Sequence, residues 1–281
     1  MNSQPDEKRY RLGFVGGGKL AGSVMRGLVR AKFCLPNEIL VSEPNELARA
    51  SLGEELGVLV TTENAKIATE AEIILIGVKP GVVLNVIAEI APLAADKLII
   101  SLAAGVPVAQ MEAQGKGRLM RAMTNTAATV CAAATAIARG ARTTDRDIES
   151  ARGIFSAIGT VVEVPEDQID AVTALGGSGP AFVYTMIEAL AAGGTRCGLA
   201  ADVSLGIATQ TVRGAAQLAL ESKLSPEELR RMVITPGGTT AAGLTIMETH
   251  DVAGGISAAV EAAAARAKEL VPKNQGTGLK S

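Results

Sequence analysis

Short apolar runs alternate with amphipathic segments along the first 165 residues of the chain. Residues 11–15 form an apolar run that ends in glycines, as buried strands do, and residues 19–32 carry apolar side chains at helical spacing. The alternation continues with strand-like runs at residues 39–41, 58–60, 73–78 and 98–102. This pace of alternation predicts a parallel sheet with helices on both faces. Further short strands near residues 118–120, 135–138 and 160–163 are expected to extend the sheet.

The pattern changes after Pro165, because only helical spacing is found there. Helices are predicted at residues 169–175, 178–196, 202–222, 225–232, 240–249 and 252–270. A chain of 281 residues is about two domains long. We therefore expect an α/β domain over residues 9–165, an all-helical domain over residues 166–273, and flexible tails at residues 1–8 and 274–281.

The two longest predicted helices after Pro165, at residues 178–196 and 202–222, are apolar over most of their length. Helices that are apolar on most sides need to be buried on most sides. About a hundred residues of helix with few bulky side chains cannot readily provide that cover within one chain. We therefore predict a homodimer formed through the helical domain, and a compact monomeric bundle is the alternative.

Composition narrows the class of partner. Apolar residues make up 48% of the chain, charged residues 20% and aromatic residues 2%, and the formal net charge is −2. Without excess cations or a stacking platform, nucleic acid is excluded as the main partner. A single histidine and three widely spaced cysteines give no metal site and no disulfide framework, and no run predicts a membrane span or a signal peptide. We expect a cytoplasmic protein.

The most informative motif follows the first predicted strand. Residues 16–21, Gly-Gly-Gly-Lys-Leu-Ala, match the pattern G-x-G-x-x-G/A directly after a strand and at the start of a helix. Gly16 permits the tight turn, Gly18 lets the backbone approach a pyrophosphate, and Ala21, or Gly22 beside it, lets the helix pack on the sheet. The helix N-terminus offers free N–H groups to the anion. The sequence therefore predicts a Rossmann-type dinucleotide-binding domain.

Further candidates follow the next strands. Glu43 is placed to accept the adenosine ribose hydroxyls and to repel a 2′-phosphate, although it could be a solvated loop acid. Asn64 is expected near the adenosine. Lys79, between Val78 and Pro80, and the segment Ala103-Ala104-Gly105 are expected at the nicotinamide end. For Lys79, a simple surface lysine is an equal alternative.

Two glycine-rich breaks interrupt the helical half. Residues 176–181 and 235–240 each open a predicted helix, and the hydroxyls of Ser178, Thr239 and Thr240 are nearby. Free N–H groups at a helix start suit a small carboxylate. Two ordinary capped turns are the alternative interpretation.

With these segments the chain resembles Δ1-pyrroline-5-carboxylate reductase. The resemblance covers nearly everything from Leu12 to Leu270 and rests on residues 13–21, 78–80, 101–106, 123–126, 170–173, 177–181 and 236–240. It implies a Rossmann domain, a helical domain that interlocks with that of a partner in a homodimer, and often a ring of five dimers, a decamer. It also implies reduction of the cyclic imine of pyrroline-5-carboxylate to L-proline by hydride from NADPH or NADH, the last step of proline synthesis.

The resemblance assigns roles to residues of this chain. The loop at residues 235–240 should hold the substrate carboxylate, and Thr240 stands where the family hydrogen-bonds the ring nitrogen. The full set of candidates is, for catalysis, Thr240 and Lys79; for the cofactor, Gly16, Gly18, Lys19, Leu20, Ala21, Glu43, Asn64, Val78, Lys79, Pro80, Ala103, Ala104, Gly105 and Asn125; and for the substrate, Ser178, Thr235, Gly237, Gly238, Thr239 and Thr240, with no metal.

Some positions depart from the family pattern. Glu43 stands where many members have a small polar residue that suits a 2′-phosphate, so we predict that NADH is used at least as well as NADPH. Ala127 replaces a usual proline, Ile234 a small residue, and Gly176 a common serine; none of these changes removes a chemical group on which the interpretation depends.

Two rival functions remain. A β-hydroxyacid dehydrogenase has a similar architecture but needs a catalytic lysine inside the helical domain, where the only lysines are near helix ends or in the tail: Lys223, Lys268, Lys273 and Lys280. A non-enzymatic NAD(P) sensor would bind the cofactor without turnover.

Overall fold

The computed structural model describes residues 10–269, so the predicted tails lie outside the described residues. The strands of this part are β1 (Tyr10–Val15), β2 (Ile39–Ser42), β3 (Leu59–Thr61), β4 (Ala71–Ile76), β5 (Leu98–Ser101), β6 (Arg118–Met123), β7 (Ala133–Arg139) and β8 (Gly159–Glu163). The helices are α1 (Lys19–Arg30), α2 (Glu46–Leu56), α3 (Asn64–Glu70), α4 (Pro80–Ile90), α5 (Val108–Glu112), α6 (Asp145–Ser156), α7 (Ile169–Val172), α8 (Gly179–Arg196), α9 (Ala201–Glu221), α10 (Pro226–Met232), α11 (Thr239–Thr249) and α12 (Val252–Glu269).

The strands form one sheet in the order β3-β2-β1-β4-β5-β6-β7-β8. The pairs from β3 through β6 are all parallel, with β1 between β2 and β4. The carboxyl ends of these six strands therefore lie at one edge of the sheet, which we call the carboxyl edge. The reversal of strand order at β1 and β4 is the point where open α/β sheets bind ligands.

The last two strands correct the expectation of a parallel sheet. β7 pairs antiparallel with β6, and β8 then pairs parallel with β7. The segment between β6 and β7 holds only a 3-10 helix, Thr126–Val130, and is too short for the crossover that a parallel pair needs. The segment between β7 and β8 contains α6 and makes such a crossover.

Apolar side chains fill both faces of the sheet. Along β1 and β4, Phe14 and Leu75 pack with one cluster, while Val15 and Ile76 pack with the other. The first cluster includes Met25 of α1 and Phe155 of α6, and the second includes Ile67 of α3 and Ile87 of α4. This two-sided burial explains why the strands read as continuous apolar runs.

A capping box begins α6, and its carboxylate also binds Arg118 at the amino end of β6. Thr144 donates from its amide and hydroxyl to Asp147 Oδ2 at 2.9 and 2.7 Å, and Arg118 Nε donates to the same oxygen at 2.9 Å. Burial alone would raise the pKa of Asp147, but the hydrogen bonds from Thr144 and Arg118 outweigh it and hold that pKa below its ordinary value. The Asp147 carboxylate therefore stabilises the fold in its ionised form.

The described chain divides into two compact units. Residues 10–177 with residues 263–269 form one, and Ser178–Ala262 form the other. Helices follow one another in the second unit, within a residue or two of the predicted positions. The unit exposes many large apolar side chains, among them Tyr184 and Leu190 of α8 and Leu205, Ile207 and Leu220 of α9. The domain limits at residues 165 and 166 stay a prediction.

Within residues 10–269, no helix combines the length and the apolar character needed to cross a bilayer.

Replacing Asp147 by asparagine should lower the free energy of unfolding at pH 7 by about 2 kcal/mol, because a buried charged acceptor is lost while Arg118 and Thr144 remain. The folded-state pKa is lowered, so the stabilisation is present above the ordinary carboxyl pKa of about 4 and is lost as the pH falls through the folded-state value. Denaturant unfolding between pH 7 and pH 2 measures this difference.

The matched control is Asp145→Asn, in the same helical turn, because the Asp145 side chain is 93% exposed and pairs only at the surface with Arg139. Its effect should stay below about 0.5 kcal/mol. A deficit of Asp147→Asn that persists unchanged to pH 2 would contradict the assignment.

Candidate active site

The turn between β1 and α1 is fixed from two sides. The Gly16 amide donates to Ser42 O of β2 at 2.8 Å, and the Gly77 amide donates to Val15 O at 2.8 Å. Gly16 has φ of +92°, and a Cβ there would lie 2.8 Å from Val78 Cγ1. Only glycine therefore suits this position. The structure thus brings the predicted residues Gly16 and Val78 together at the carboxyl edge.

The N-terminus of α1 opens beside this turn. Gly18 is exposed and makes no side-chain cap, and no acidic residue lies in the first turn, which contains Lys19 and Leu20. A Cβ on Gly18 would meet only Gly77 O, at 3.9 Å. Ala21 packs so closely on Gly77 that a Cβ on Gly77 would lie 2.6 Å from the Ala21 Cβ. Open N–H groups on a tightly packed helix fit the pyrophosphate of a dinucleotide.

Glu43 follows β2 and contacts the same turn. Its Oε2 accepts from the Gly17 amide at 2.8 Å and its Oε1 from the Asn45 amide at 2.9 Å. Arg49 Nη1 donates to Glu43 O at 2.8 Å. The carboxylate is therefore held in place beside the predicted pyrophosphate turn rather than being a freely solvated loop acid. Each of its oxygens retains a lone pair for a further donor.

Asn64 and Lys79 lie at the starts of α3 and α4. Asn64 Oδ1 accepts from Ser42 Oγ at 2.7 Å, and Asn64 Nδ2 donates to Glu89 at 2.9 Å, so this amide ties the end of β2 to two helices. Lys79 is the exposed N-cap residue of α4, with Pro80 in the first turn. The roles of both residues toward a cofactor stay predictions.

The segments after β5 and β6 complete the carboxyl edge. The Ala103 amide donates to Ser101 Oγ at 3.3 Å, and Ala104 packs against Met123 in a small cluster with Ile169. Asn125 Oδ1 accepts from the Ala127 amide at 3.1 Å, and Asn125 Nδ2 donates to Gly176 O at 3.0 Å. The predicted candidate Asn125 thus connects the loop after β6 to the segment before α8, and Ala104 packs on the cluster beside it.

Sequence reasoning missed a charged group on β6. Arg121 is only 4% exposed, and its Nη1 lies 3.3 Å from Glu166 Oε1. Asp170 Oδ1 lies 3.8 Å from Arg121 Nη2. The signal that could have found this cluster is an arginine at the fourth position of β6 (RLMRAM), between the apolar pairs Leu119-Met120 and Ala122-Met123.

The predicted substrate loop is a sharp turn before α11. The Gly238 amide donates to Thr235 O at 2.9 Å, with Pro236 and Gly237 between them. A proline followed by a glycine with φ of +70° defines a type II turn. Gly238 is the N-cap of α11 and makes no side-chain cap. The first-turn amides, including those of Thr239 and half-buried Thr240, therefore remain available to an anion.

The other glycine-rich segment differs from its prediction. Instead of a turn that opens a helix, residues 173–178 form a π-helical turn between α7 and α8. Ser178, at its end, has an α-helical backbone. The expected helix start with free N–H groups is therefore wrong at this segment, because α7 already precedes it. π-turns are frequent at functional sites.

Comparison with known proteins finds two family models and several full-length relatives. Residues 166–270 match the family model described as pyrroline-5-carboxylate reductase dimerisation, and residues 11–105 match that described as NADP oxidoreductase coenzyme F420-dependent. The Pyrroline-5-carboxylate reductase of Methanosarcina acetivorans is 42% identical over 95% of this chain and 100% of its own length. That of Glycine max is 40% identical over 93% of this chain and 96% of its own length.

Two solved structures share the fold of this chain. A pyrroline-5-carboxylate reductase from Coxiella burnetii superposes with a TM-score of 0.85 at 34% identity, over 95% of this chain and 100% of that chain. The pyrroline carboxylate reductase of Plasmodium falciparum, solved with NADP bound, superposes with a TM-score of 0.86 at 26% identity, over 94% of this chain and 99% of that chain.

The mainly parallel sheet with its glycine turn, together with these matches, defines an NAD(P)H-dependent oxidoreductase with a dimerisation domain. The chain belongs to the pyrroline-5-carboxylate reductase family. The predicted fold class and the family resemblance are thereby confirmed.

Replacing Gly18 by aspartate should abolish dinucleotide binding, because it places a carboxylate at the N-cap of α1, where the pyrophosphate is expected. We expect the Kd for NADPH to rise at least about 100-fold, since a like charge placed against a bound anion costs several kcal/mol. Titration calorimetry measures this, and circular dichroism checks the fold.

The control variant is Gly153→Asp, which adds the same charge to an exposed position of α6 that has nothing within 4 Å of a Cβ. It should bind NADPH as the parent chain does. Unchanged affinity in Gly18→Asp would contradict the proposed pyrophosphate site.

Proposed function

We propose that this chain reduces the cyclic imine of pyrroline-5-carboxylate to L-proline at a site built from the residues described above. The observation that carries the proposal is the type II turn of Thr235–Gly238 with the uncapped start of α11, within a family whose named members are pyrroline-5-carboxylate reductases. Such a turn suits a small carboxylate, and the glycine turn after β1 suits the cofactor.

The two ends of the cofactor are assigned to separate groups on the carboxyl edge. Gly16, Gly18, Lys19, Leu20 and Ala21 receive the pyrophosphate. Glu43 and Asn64, which lie near the carboxyl end of β2, are assigned to the adenosine end. The nicotinamide end is assigned to the segments after β4, β5 and β6, whose candidate residues are Val78, Lys79, Pro80, Ala103, Ala104, Gly105 and Asn125.

The substrate carboxylate is held by the amides of residues 237–240 and by the hydroxyls of Thr235 and Thr239, with Ser178 as a further polar contact. Thr240 Oγ1 hydrogen-bonds the ring nitrogen and, alone or through a water molecule, supports proton delivery to it. A nicotinamide bound at the carboxyl edge would supply the hydride from its C4. Because a protonated imine is already an electrophile, the protein acts mainly by aligning the two reacting carbons.

Replacing Thr240 by alanine should lower kcat for pyrroline-5-carboxylate by about 10- to 100-fold, because the hydroxyl at the ring nitrogen is lost. Cofactor affinity should be unchanged. The measurement is NADPH oxidation, followed by absorbance, with and without pyrroline-5-carboxylate.

Thr245→Ala is the matched control, since Thr245 lies further along α11 and donates to Ala241 O within the helix. This variant should keep the parent rate. Cofactor binding without any turnover in the parent chain would instead favour a non-enzymatic sensor, and turnover of a 3-hydroxy acid alone would favour the β-hydroxyacid dehydrogenase reading.

We propose further that NADH is used at least as well as NADPH. The proposal is supported by Glu43, whose carboxylate accepts from the Gly17 and Asn45 amides just beyond β2, where an acidic residue of this fold ordinarily receives the adenosine ribose. A carboxylate so held repels a phosphate dianion and can accept ribose hydroxyls.

Replacing Glu43 by glutamine, which keeps one acceptor oxygen but removes the charge, should shift the ratio of kcat/KM values toward NADPH by about tenfold or more. Steady-state kinetics with both cofactors measure this ratio. The control is Glu54→Gln on the exposed side of α2. A strong NADPH preference in the parent chain would contradict the proposal, and a ratio unmoved by Glu43→Gln would contradict the role given to Glu43.

We infer a homodimer formed through the helical unit. Exposed apolar side chains on α8 and α9, including Leu190, Leu205 and Ile207, support it, because monomeric proteins rarely expose so much apolar surface. A ring of five dimers and a cytoplasmic location remain predictions. The free state of Cys34, Cys131 and Cys197 is in keeping with a reducing compartment.

A further inference from the structure

Arg121 is a buried charge on β6, flanked on both sides by apolar residues. Its neighbours on β6, Met120 and Ala122, belong to the apolar cluster that includes Met25 and Phe155, and Arg121 itself is 4% exposed. Burying a guanidinium is costly unless acceptors surround it. The acceptors near Arg121 therefore indicate what this charge holds together.

Glu166 connects Arg121 to the segment after β5. Its Oε1 lies 3.3 Å from Arg121 Nη1 and accepts from the Val108 amide at 2.6 Å. Val108 begins α5, three residues after Gly105 of the predicted nicotinamide segment. The position of that segment therefore depends on Glu166, which in turn is held by Arg121.

Asp170 connects Arg121 to α7 and the π-helical turn. Asp170 Oδ1 is 3.8 Å from Arg121 Nη2. Two residues beyond β6, Asn125 donates from Nδ2 to Gly176 O of the same turn. Met123 also packs with Ile169 of α7. Arg121 and Asn125 thus attach the end of β6 to α7 and to the π-helical turn.

This cluster is not optimised for stability. Among residues 10–269, Arg121 Nε, Arg121 Nη2 and Asp170 Oδ1 are buried and have no hydrogen-bond partner. Apolar residues of similar volume often stabilise a fold as well as a buried ion cluster or better. Apolar residues would be enough if this cluster only had to stabilise the packing of β6 on its neighbours. The buried charges therefore indicate that the cluster orients the segments it contacts.

We propose that Arg121 is a positioning residue for hydride transfer. Through Glu166 it fixes the segment Ala103–Val108, and through Asp170 it fixes the helical turn that ends at Ser178. The inference rests on the proposed function, because these segments are assigned to the nicotinamide and substrate. Arg121 itself touches neither, and its effect is on the alignment of the reacting carbons.

The test compares three variants with the parent chain. Arg121→Met combined with Asp170→Leu removes both charges together, so that neither is left buried alone. Asp170→Asn removes one charge with almost no change in shape and keeps the test possible if the double variant does not fold. Arg121→Lys keeps the charge but loses the planar fork that reaches two carboxylates.

We expect kcat to fall about 100-fold in the double variant and less in Asp170→Asn, with KM for both substrates within about threefold, because misalignment affects the chemical step. Arg121→Lys should recover part of the loss. The isotope effect on kcat with NADPH deuterated at C4 should rise. In the ligand-free protein, the Val108 amide should exchange with solvent faster, while Tm should be unchanged or higher.

Arg118→Met is the matched control, because it removes an ion pair with a buried carboxylate at the opposite end of the same strand. It should lower Tm and leave kcat unchanged. The proposal would be overturned if the folded double variant and Asp170→Asn both kept the kcat and the isotope effect of the parent chain. It would also be overturned if the loss of kcat only followed the fraction of folded protein. An inactive parent chain would instead refute the proposed function.

Discussion

Backbone groups just beyond the carboxyl ends of β1 and β4 approach their neighbours so closely that Gly16 and Gly77 have no room for a Cβ. Gly16 donates to Ser42 O, Gly77 donates to Val15 O, and Ala21 packs directly on Gly77. These contacts bring the start of α1 against the sheet with its N–H groups open. The position of Glu43 follows from the same approach, because its carboxylate accepts from the Gly17 amide.

Both proposed anion sites use the backbone amides at the start of a helix. The start of α1 and the start of α11 each lack a side-chain cap and an acidic residue in the first turn. Amides held by a helix do not reorganise when an anion binds and do not titrate. This choice suits a reaction in which the substrate brings its own electrophile and the cofactor its own hydride, so that alignment is the task left to the protein.

Much of the fold and part of the candidate site were predictable from the sequence. Apolar runs and helical spacing predicted the strands and helices closely, because two-sided burial and amphipathic faces leave clear periodicities. The glycine turn was predictable because Gly16 and Gly18 follow a strand and open a helix.

The antiparallel β7 was missed because strand direction depends on whether the chain between two strands can cross the sheet. The π-helical turn was missed because its glycines indicate a break as readily as a wide helical turn. Arg121 was missed because its partners, Glu166 and Asp170, are distant in sequence.

The most direct test of the account follows the hydride itself. The chain is incubated with pyrroline-5-carboxylate and cofactor carrying deuterium at the transferable C4 position, and the product is analysed by mass spectrometry and NMR. The account predicts L-proline with one deuterium per molecule, on the ring carbon that was the imine carbon, and one cofactor oxidised for each proline formed. Unlabelled proline, or cofactor that binds but is not oxidised in the presence of the imine, would contradict it.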